Sequence, residues 1–292
     1  IVSFCITDRQ DSIACKCFCD PEEPTFELSE GQWARVRGDV QYDQYAREIV
    51  LVVSDIMPDS RPVRQDTAEA KRIELHLHTK MSAMDSVCDA ESAIRQAAEW
   101  GHEAVAITDH GVVQSFPDAF AAGKKHGVKI IYGMEGYLVD DAGADDPPTY
   151  HITILARNAA GLRDLYRLVS ASHLKYFYRH PRIPRALLAE ARSNLLIGSA
   201  CAAGELFRAA LDGASDDELD RIAGFYDYLE IMPAGNDEFL VRSGRLRGIE
   251  QVQAIATRIY GIGRRLGIPV CATGDVHFVQ PAHEAYRRVL MA

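Results

Sequence analysis

The stretch RIELHLH, residues 72–78, decides the fold, because a strand pattern ends there in histidines at alternate positions. Residues two apart on a strand point to the same side, so His76 and His78 share one face. Strand-like runs then alternate with helical patterns as far as residue 273. This alternation predicts an α/β domain with parallel strands and right-handed crossovers.

The number of repeats indicates the architecture. Strand-like runs cover residues 72–78, 104–109, 129–132, 136–140 with 151–157, 194–200, 228–232 and 269–273, and helical patterns cover residues 90–100, 116–126, 162–173, 184–191, 204–211, 216–226 and 246–266. Roughly seven repeats predict a distorted seven-stranded (β/α)7 barrel of the TIM type. An open doubly wound sheet is the alternative.

The first 60 residues follow a different pattern. Runs of β-branched and aromatic residues at 1–7, 13–19, 33–42 and 48–55 are broken by Asp, Pro and Gly. They predict a small all-β OB-fold domain at residues 1–60, whose first strand would precede Ile1 in a longer protein. Any other small β-module is the alternative. Residues 61–70 are predicted to be a linker, and residues 71–292 the α/β domain.

Composition limits the function classes. Hydrophobic residues make up 47% of the chain and charged residues 25%, as in ordinary globular proteins. The net charge is −10, and residues 1–68 carry 13 acidic against 7 basic side chains, so neither half is a basic nucleic-acid module. No apolar run approaches the roughly 20 residues needed to span a membrane, which predicts no membrane partner.

Cysteine usage predicts a reduced, cytoplasmic setting, because seven cysteines without framework spacing do not indicate a disulfide scaffold. Cys15, Cys17 and Cys19 alternate along a strand-like run. A zinc ribbon would favour a C-x-x-C spacing on a turn. These three cysteines are therefore interpreted as small buried hydrophobes.

Potential metal ligands collect where the predicted strands end. Asp275 and His277 repeat the spacing of the first histidine pair, and of the adjacent Asp109 and His110 either could bind metal while the other supports it. Singly, these residues have ordinary explanations as helix caps, loop acids or core residues. The full set of candidates is His76, His78, Asp85, Asp109 or His110, Glu135, His151, Cys201, Asp275 and His277.

So many ligands exceed what one tetrahedral zinc ion with an open position needs, which is about three. They fit two or three divalent metals, Zn, Mn or Fe, that share carboxylates. Metals roughly 3.5–4 Å apart clamp the attacking and leaving oxygens of a phosphoester. The sequence therefore predicts phosphoester chemistry.

Several segments resemble a known family. ELHLHT (74–79), ITDHG (107–111), GME (133–135) and GDVH (274–277) resemble motifs of the polymerase and histidinol phosphatase (PHP) family. Longer segments at 71–86, 100–119, 172–185 and 198–207 are similar to the PHP domain of the PolC-type family of bacterial DNA polymerase III. WARVRGDVQYD (33–43) is similar to the OB domain that precedes it there.

The resemblance implies a trinuclear site on a seven-stranded barrel. One metal would be held by His76, His78, Glu135 and Asp275, a second by Glu135, His151 and Cys201, and a third by Asp85, His110 and His277. Catalytic roles are predicted for His76, His78, Asp109 and Asp275. In the full protein the resemblance implies DNA synthesis with Mg²⁺, and as partners template–primer DNA, single strands, the other polymerase domains, the sliding clamp and the replisome.

The sequence departs from the PolC-type pattern in two ways, and three functions are considered. The short segment AGADDPPT (142–149) stands where PolC-type proteins usually carry an inserted exonuclease, and the chain ends before any palm domain. The chain is expected to be the OB–PHP part of a polymerase with a 3′–5′ exonuclease or phosphoesterase site. A stand-alone metal-dependent phosphatase and a catalytically inert structural metal module are the alternatives.

Candidate DNA contacts lie in two segments. Basic residues alternate with aromatic residues at positions 175–179, a pattern that suits base stacking and phosphate contact. The alternative is a surface loop whose aromatic side chains point into the protein. The predicted nucleic-acid residues are Arg35, Arg37, Lys175, Tyr176, Tyr178 and Arg179.

Overall fold

The computed structural model describes residues 1–8, 11–18, 29–60, 64–143 and 146–292. The chain divides into two units, Ile1–Gln65 and Asp66–Ala292, and each is described by itself. Cys19 and residues 61–63 of the predicted linker lie outside the described residues. Among the helices described, none combines the length and apolar content needed to cross a membrane.

The first unit is a four-stranded sheet. Its strands are β1 (Val2–Thr7), β2 (Ser12–Cys17), β3 (Ala34–Asp43) and β4 (Glu48–Pro58), in the order β1-β2-β4-β3. The β2–β4 pair is parallel and the other two pairs are antiparallel. Cys15 and Cys17 are buried with Val53 and Ile56, which confirms their interpretation as small hydrophobes.

The second unit alternates strands with helices. Its strands are β5 (Ala104–Ile107), β6 (Lys129–Val139), β7 (Tyr150–Ala156), β8 (Phe177–Tyr178), β9 (His180–Pro184), β10 (Leu195–Gly198), β11 (Leu229–Ile231) and β12 (Val270–Ala272). Its helices are α1 (Ala90–Glu99), α2 (Phe116–His126), α3 (Ala159–Leu174), α4 (Arg185–Ala191), α5 (Glu205–Leu211), α6 (Asp216–Ala223), α7 (Glu238–Arg242), α8 (Ile249–Leu266) and α9 (Glu284–Met291).

Local signals set the ends of the longer helices. The Asp89 carboxylate accepts a hydrogen bond from the Ser92 backbone N–H and caps α1. The Asn158 side chain caps α3 in the same way. Helix α2 ends at Gly127, whose φ of 74° is left-handed and suits glycine. These helices match the sequence pattern because the signals that start and end them are local.

The strand pairing is mixed, so the prediction of parallel strands throughout is wrong. β7 pairs antiparallel with both β6 and β10, whereas β5–β6, β6–β9 and β11–β12 are parallel. The segment between β6 and β7 is too short for the dozen or more residues of a parallel crossover, and an antiparallel connection results. The unit is therefore an α/β fold built on mixed sheets.

Two predicted strands, 129–132 and 136–140, form the single strand β6. A Cβ at Gly133 would lie 2.7 Å from the Ile154 carbonyl oxygen and 2.5 Å from the Leu155 side chain. The glycine therefore lets β7 approach closely, where the sequence pattern suggested a break.

Within the described residues, the regular pairings do not form a closed barrel. Residues 72–78 make isolated bridges instead of a regular strand, with Glu74 bridging Val105 and Leu77 bridging Val276. Regular pairings give one six-stranded and one two-stranded sheet. Isolated bridges thus carry the link between the first and the last segments of the unit.

Candidate metal centre

The first histidine pair lies in the interior. The side chains of His76 and His78 are 0% exposed, and their Nε2 atoms are 3.1 Å apart. Two nitrogens at this distance cannot both point protons at each other, so at least one presents a lone pair. Both lie beside the Asp275 carboxylate, whose Oδ1 is 3.4 Å from His76 Nε2 and 3.3 Å from His78 Nε2.

Glu135 lies at the middle of the site. Its Oε1 is 3.0 Å from His151 Nδ1 and 3.2 Å from His76 Nε2. Its Oε2 is 2.8 Å from His110 Nδ1 and 3.6 Å from His78 Nε2. Each oxygen of this buried carboxylate therefore faces a different pair of imidazoles, which is the arrangement of a bridging ligand.

Cys201 and His151 complete the side of Glu135 Oε1. The Cys201 Sγ atom is 3.4 Å from that oxygen and 3.5 Å from His151 Nδ1. Burial and the neighbouring Glu135 carboxylate raise the pKa of the Cys201 thiol well above its usual range. A cation at this position would be needed to hold the thiolate.

Asp85 lies between two imidazoles, those of His110 and His277. Its Oδ2 is 2.9 Å from His110 Nε2 and 3.1 Å from His277 Nε2. Its Oδ1 accepts hydrogen bonds from Arg287 on α9, at 3.1 Å from Nε and 2.5 Å from Nη2. All nine predicted metal ligands thus meet in one connected cluster.

Supporting contacts fix three of the imidazole rings. His76 Nδ1 donates to Glu230 at 2.9 Å, and His277 Nδ1 donates to the Asp275 carbonyl at 2.8 Å. His78 Nδ1 is 2.9 Å from Ser82 Oγ, whose own proton goes to Asp109, so the imidazole is the donor. In each ring Nδ1 donates to its supporting contact, so Nε2 is the nitrogen that faces the cluster and can bind a metal once it carries no proton.

The cluster also contains buried atoms without hydrogen bonds. Among the described residues, Glu135 Oε2, His110 Nδ1 and Asp275 Oδ1 are buried and have no partner of hydrogen-bond geometry. His110 Nδ1 lies close to Glu135 Oε2, yet the pair fails that geometry, as two ligands of one ion would. Buried, unpaired charge is costly, so these donors fit divalent cations.

The electrostatics point the same way. Burial lowers the pKa of His110, but its contacts with Asp85 and Glu135 outweigh burial and raise the pKa to about 10. Burial lowers the pKa of His78 to about 4. The carboxylates therefore demand positive charge, which protons supply in the absence of metal, and metal binding is expected to release protons.

The backbone brings these side chains together by unusual conformations. Asp275 has a φ of 47°, and Ala200, just before Cys201, has a φ of 57°. Both lie in the left-handed region that non-glycine residues rarely adopt. Strain of this kind clusters at functional sites.

Asp109 has a different place from the one predicted for a catalytic group. It is fully buried, and its oxygens accept hydrogen bonds from the Thr79 backbone N–H and hydroxyl and from the Ser82 and Ser115 hydroxyls. With its oxygens occupied in this way, Asp109 supports the ligand loop, while His110 faces the cluster. Its catalytic role stays a prediction that this geometry does not favour.

Sequence reasoning missed Glu230 on β11. It is 3% exposed and accepts hydrogen bonds from His76, Thr153, Thr273 and the Ala200 backbone N–H. The available signal was a carboxylate in the apolar run YLEIM (228–232). A buried charge in such a run requires partners.

The predicted nucleic-acid residues lie outside this cluster. In the first unit, Arg35 pairs with Asp59 at 3.1 Å and Arg37 with Asp55 at 3.4 Å, so both cations are partly neutralised. In the second unit Lys175 and Tyr178 are exposed, Tyr176 is half-buried, and Arg179 lies over the Tyr178 ring and pairs with Asp146.

Comparison with known proteins gives one family match. The profile of the PHP domain matches residues 74–235. The chain is 30% identical to the DNA polymerase III PolC-type of Clostridium perfringens, covering 100% of this chain and 34% of that protein. It is 29% identical to that of Caldanaerobacter subterraneus, covering 94% and 34%. The resemblance to PolC-type proteins is confirmed.

The chain spans about a third of the length of these curated relatives. The first alignment runs over 493 residues against 292 in the chain, so 201 aligned positions have no counterpart here. Among solved structures, a two-domain protein of Bacteroides vulgatus said to contain a predicted PHP-like metal-dependent phosphoesterase is 14% identical, covering 75% of this chain and 57% of that one, with a TM-score of 0.43.

Proposed function

The chain belongs to the PHP domain family, and we propose that its centre hydrolyses phosphodiesters at the 3′ end of DNA as part of a PolC-type replicative polymerase. The observation that carries this proposal is Glu135, a buried carboxylate whose two oxygens face separate pairs of imidazoles. Shared carboxylates are typical of centres with more than one metal, and such centres suit phosphoester cleavage.

The proposed ligand sets are those that the resemblance to the PHP family implies. His76, His78, Glu135 and Asp275 would hold one ion; Glu135, His151 and Cys201 a second; and Asp85, His110 and His277 a third. The His78, His110 and His277 nitrogens lie close enough together to share an ion, as do two groups around Glu135. Imidazole, carboxylate and one thiolate favour Zn, Mn or Fe.

Divalent ions at such a centre, when bound, neutralise phosphate charge and lower the pKa of water. The chain's own contribution is orientation. Glu230 holds the His76 ring, and Ser82 with Asp109 holds the His78 ring. Ring orientation fixed in advance lowers the cost of assembling the reactive geometry.

The finer fold is part of the proposal. The bridge between Leu77 and Val276 joins the first and last segments of the second unit, which supports a distorted seven-stranded barrel. In the first unit the central parallel pair β2–β4, flanked by antiparallel neighbours, supports an OB-fold domain. We propose domains at residues 1–60 and 71–292.

The whole protein would synthesise DNA with Mg²⁺ in the cytoplasm. Similarity to PolC-type polymerases over the full chain supports this, together with DNA, the other polymerase domains, the sliding clamp and the replisome as partners. Because the Clostridium perfringens relative carries 201 aligned positions that have no counterpart here, proofreading by the PHP site is an attractive role for this chain.

A structural metal module is the second candidate. It is favoured by the complete burial of His76 and His78, which leaves little room for substrate on that side. In that case metal removal would lower stability and leave no hydrolytic activity to lose.

Metal content and nuclease assays on the wild type and on a His76→Ala, His78→Ala variant test the proposal. We expect two or three divalent ions per chain and metal-dependent release of nucleotides from a 5′-labelled primer, both lost in the variant. His126→Ala, on the surface of α2, is the matched control.

A folded, metal-loaded wild type that releases no nucleotide would contradict the nuclease proposal and favour the structural module. A small phosphomonoester serves as the second substrate. Rapid cleavage of that ester without release from DNA would instead indicate a stand-alone phosphatase.

A further inference from the structure

A cavity of about 290 Å³ adjoins the metal centre. It lies beside the ends of β10 and β11 and is closed on one side by α8. Cys201 and Glu230 line it, and both also touch the cluster, Cys201 beside Glu135 and Glu230 on His76. An occupant of the cavity would therefore lie next to the ligands.

Asp237 gives this cavity an unused polar group. Its side chain lines the cavity, is 5% exposed, and makes no hydrogen bond or ion pair with any described residue. Burial and the nearby Asp275 carboxylate raise its pKa to about 6. Buried polar groups are almost always paired, so an unpaired carboxyl facing a cavity indicates a missing hydrogen-bond donor.

The second acid in the wall has no such capacity. Glu230 already accepts hydrogen bonds from Thr153, Thr273, His76 and the Ala200 backbone. Two buried acids also make the cavity unsuitable for a second phosphate. The occupant must be uncharged at this end and must carry a donor.

The remaining walls are apolar or neutral. Phe207, Ile231 and Met232 supply apolar surface, while Gln253 and Thr257 of α8 lie at the exposed rim. Aromatic and thioether surfaces suit flat rings, and a few convergent polar groups set the orientation of a ligand. This combination fits a nucleoside better than an aliphatic chain.

We propose that this cavity receives the base and sugar of the terminal nucleotide, with Asp237 accepting a hydrogen bond from them. The proposal rests on the proposed function, because the metal centre would take the adjoining phosphate. Asp237 would then be a residue that determines specificity for nucleotides over other phosphoesters.

Methyl chemical shifts of Ile231 and Met232 test the cavity without any hydrolysis. Deoxycytidine, which has no phosphate, is titrated into the 292-residue chain in the presence of a chelator, and inorganic phosphate is titrated in parallel. We expect deoxycytidine, and not phosphate, to shift these methyl signals. Asp237→Asn is expected to weaken the response about tenfold, since the amide oxygen still accepts a hydrogen bond but the charge of the acceptor is lost.

Two further variants complete the test. Asp217→Asn, an exposed acid of α6, is the matched control and should bind as the wild type does. Ala256→Phe fills the cavity from α8 and should abolish binding while metal content is unchanged. It serves as the decisive variant if Asp237→Asn does not fold.

Unshifted Ile231 and Met232 methyls, or equal affinities for wild type and Ala256→Phe, would overturn the assignment even if the nuclease is active. Conversely, a deoxycytidine response in a protein without nuclease activity would uphold the cavity and refute the proposed function.

Discussion

The two halves of the candidate metal centre differ in how they are held. The inner half, His76, His78 and Glu135, is at most 1% exposed, and its two imidazoles are fixed by Glu230 and Ser82. In the outer half, Asp85, His110 and His277, the side chains are 6–22% exposed.

The difference in burial between the two halves predicts which bound ions should exchange with solvent. Ligands fixed by buried hydrogen bonds lose little entropy on binding metal, whereas partly exposed ligands keep more conformational freedom that metal binding must remove. The outer half depends on Arg287, which comes from α9 near the end of the chain. We expect tight ions in the inner half and an exchangeable ion in the outer half.

The largest effect on metal affinity is expected from Glu230→Gln, which removes a supporting contact of the inner half. The substitution removes the charge that holds the His76 Nδ1 proton and disturbs the Thr153 and Thr273 contacts. Loss of such a supporting partner typically weakens metal binding by about 10–100-fold. Competition with a chromogenic chelator measures this affinity.

Glu250→Gln, in the exposed first turn of α8, is the control. If Glu230→Gln bound metal as tightly as the wild type, the proposed difference between the halves would be wrong, because ring orientation would not limit the inner affinity.

A smaller effect on metal affinity is expected from Arg287→Ala, which removes a supporting contact of the outer half. Arg287 holds one oxygen of Asp85 and so directs the other towards His110 and His277. Without it we expect the weakest-bound ion to lose about tenfold in affinity, with the inner ions unchanged. Metal-specific titration by calorimetry separates the two classes of site.

Arg288→Ala is a close control, because the ion pair of Arg288 among the described residues is a local one with Glu284 on the surface of α9. Removing Arg287 also removes positive charge beside a cation site. Tighter binding in Arg287→Ala would show that repulsion by the guanidinium outweighs its orienting contacts.

The sequence predicted that the candidate ligands of both halves would meet, and it did so for a physical reason. Side chains at the ends of the predicted strands were expected to converge, and His76, Glu135 and Cys201 do meet. Their positions differ from that prediction, because Glu135 lies within β6 and His76 lies in no regular strand. Helix α2 was predicted with its observed bounds, because Gly127 gives a local stop signal. Patterns in short stretches of sequence therefore predict many of the candidate ligands.

The sequence could not predict contacts between residues that are far apart in the chain. His76 and Glu230 are 154 positions apart, and Asp85 and Arg287 are 202 apart, so no motif links either pair. The direction of β7 depends on the strands with which it pairs. Gly133 continues β6 because the backbone of Ile154 lies too close for a larger residue, and this contact is not visible in the sequence. Residues that orient ligands are therefore harder to predict than the ligands themselves.

The smallest effect on metal affinity is expected from Thr153→Val, which preserves shape and removes one donor to Glu230 Oε1. Glu230 Oε2 still receives His76, so ring orientation survives and metal affinity should change by less than about threefold. The lost hydrogen bond to a charged group should lower the free energy of unfolding by about 1.5–3 kcal/mol.

Chemical denaturation in the presence of chelator measures that loss, and Ser170→Ala on the exposed surface of α3 is the control. A large loss of metal affinity in Thr153→Val would mean that Glu230 needs all its donors to hold His76. The inner half would then be a cooperative network, because removing any single contact would release the imidazole.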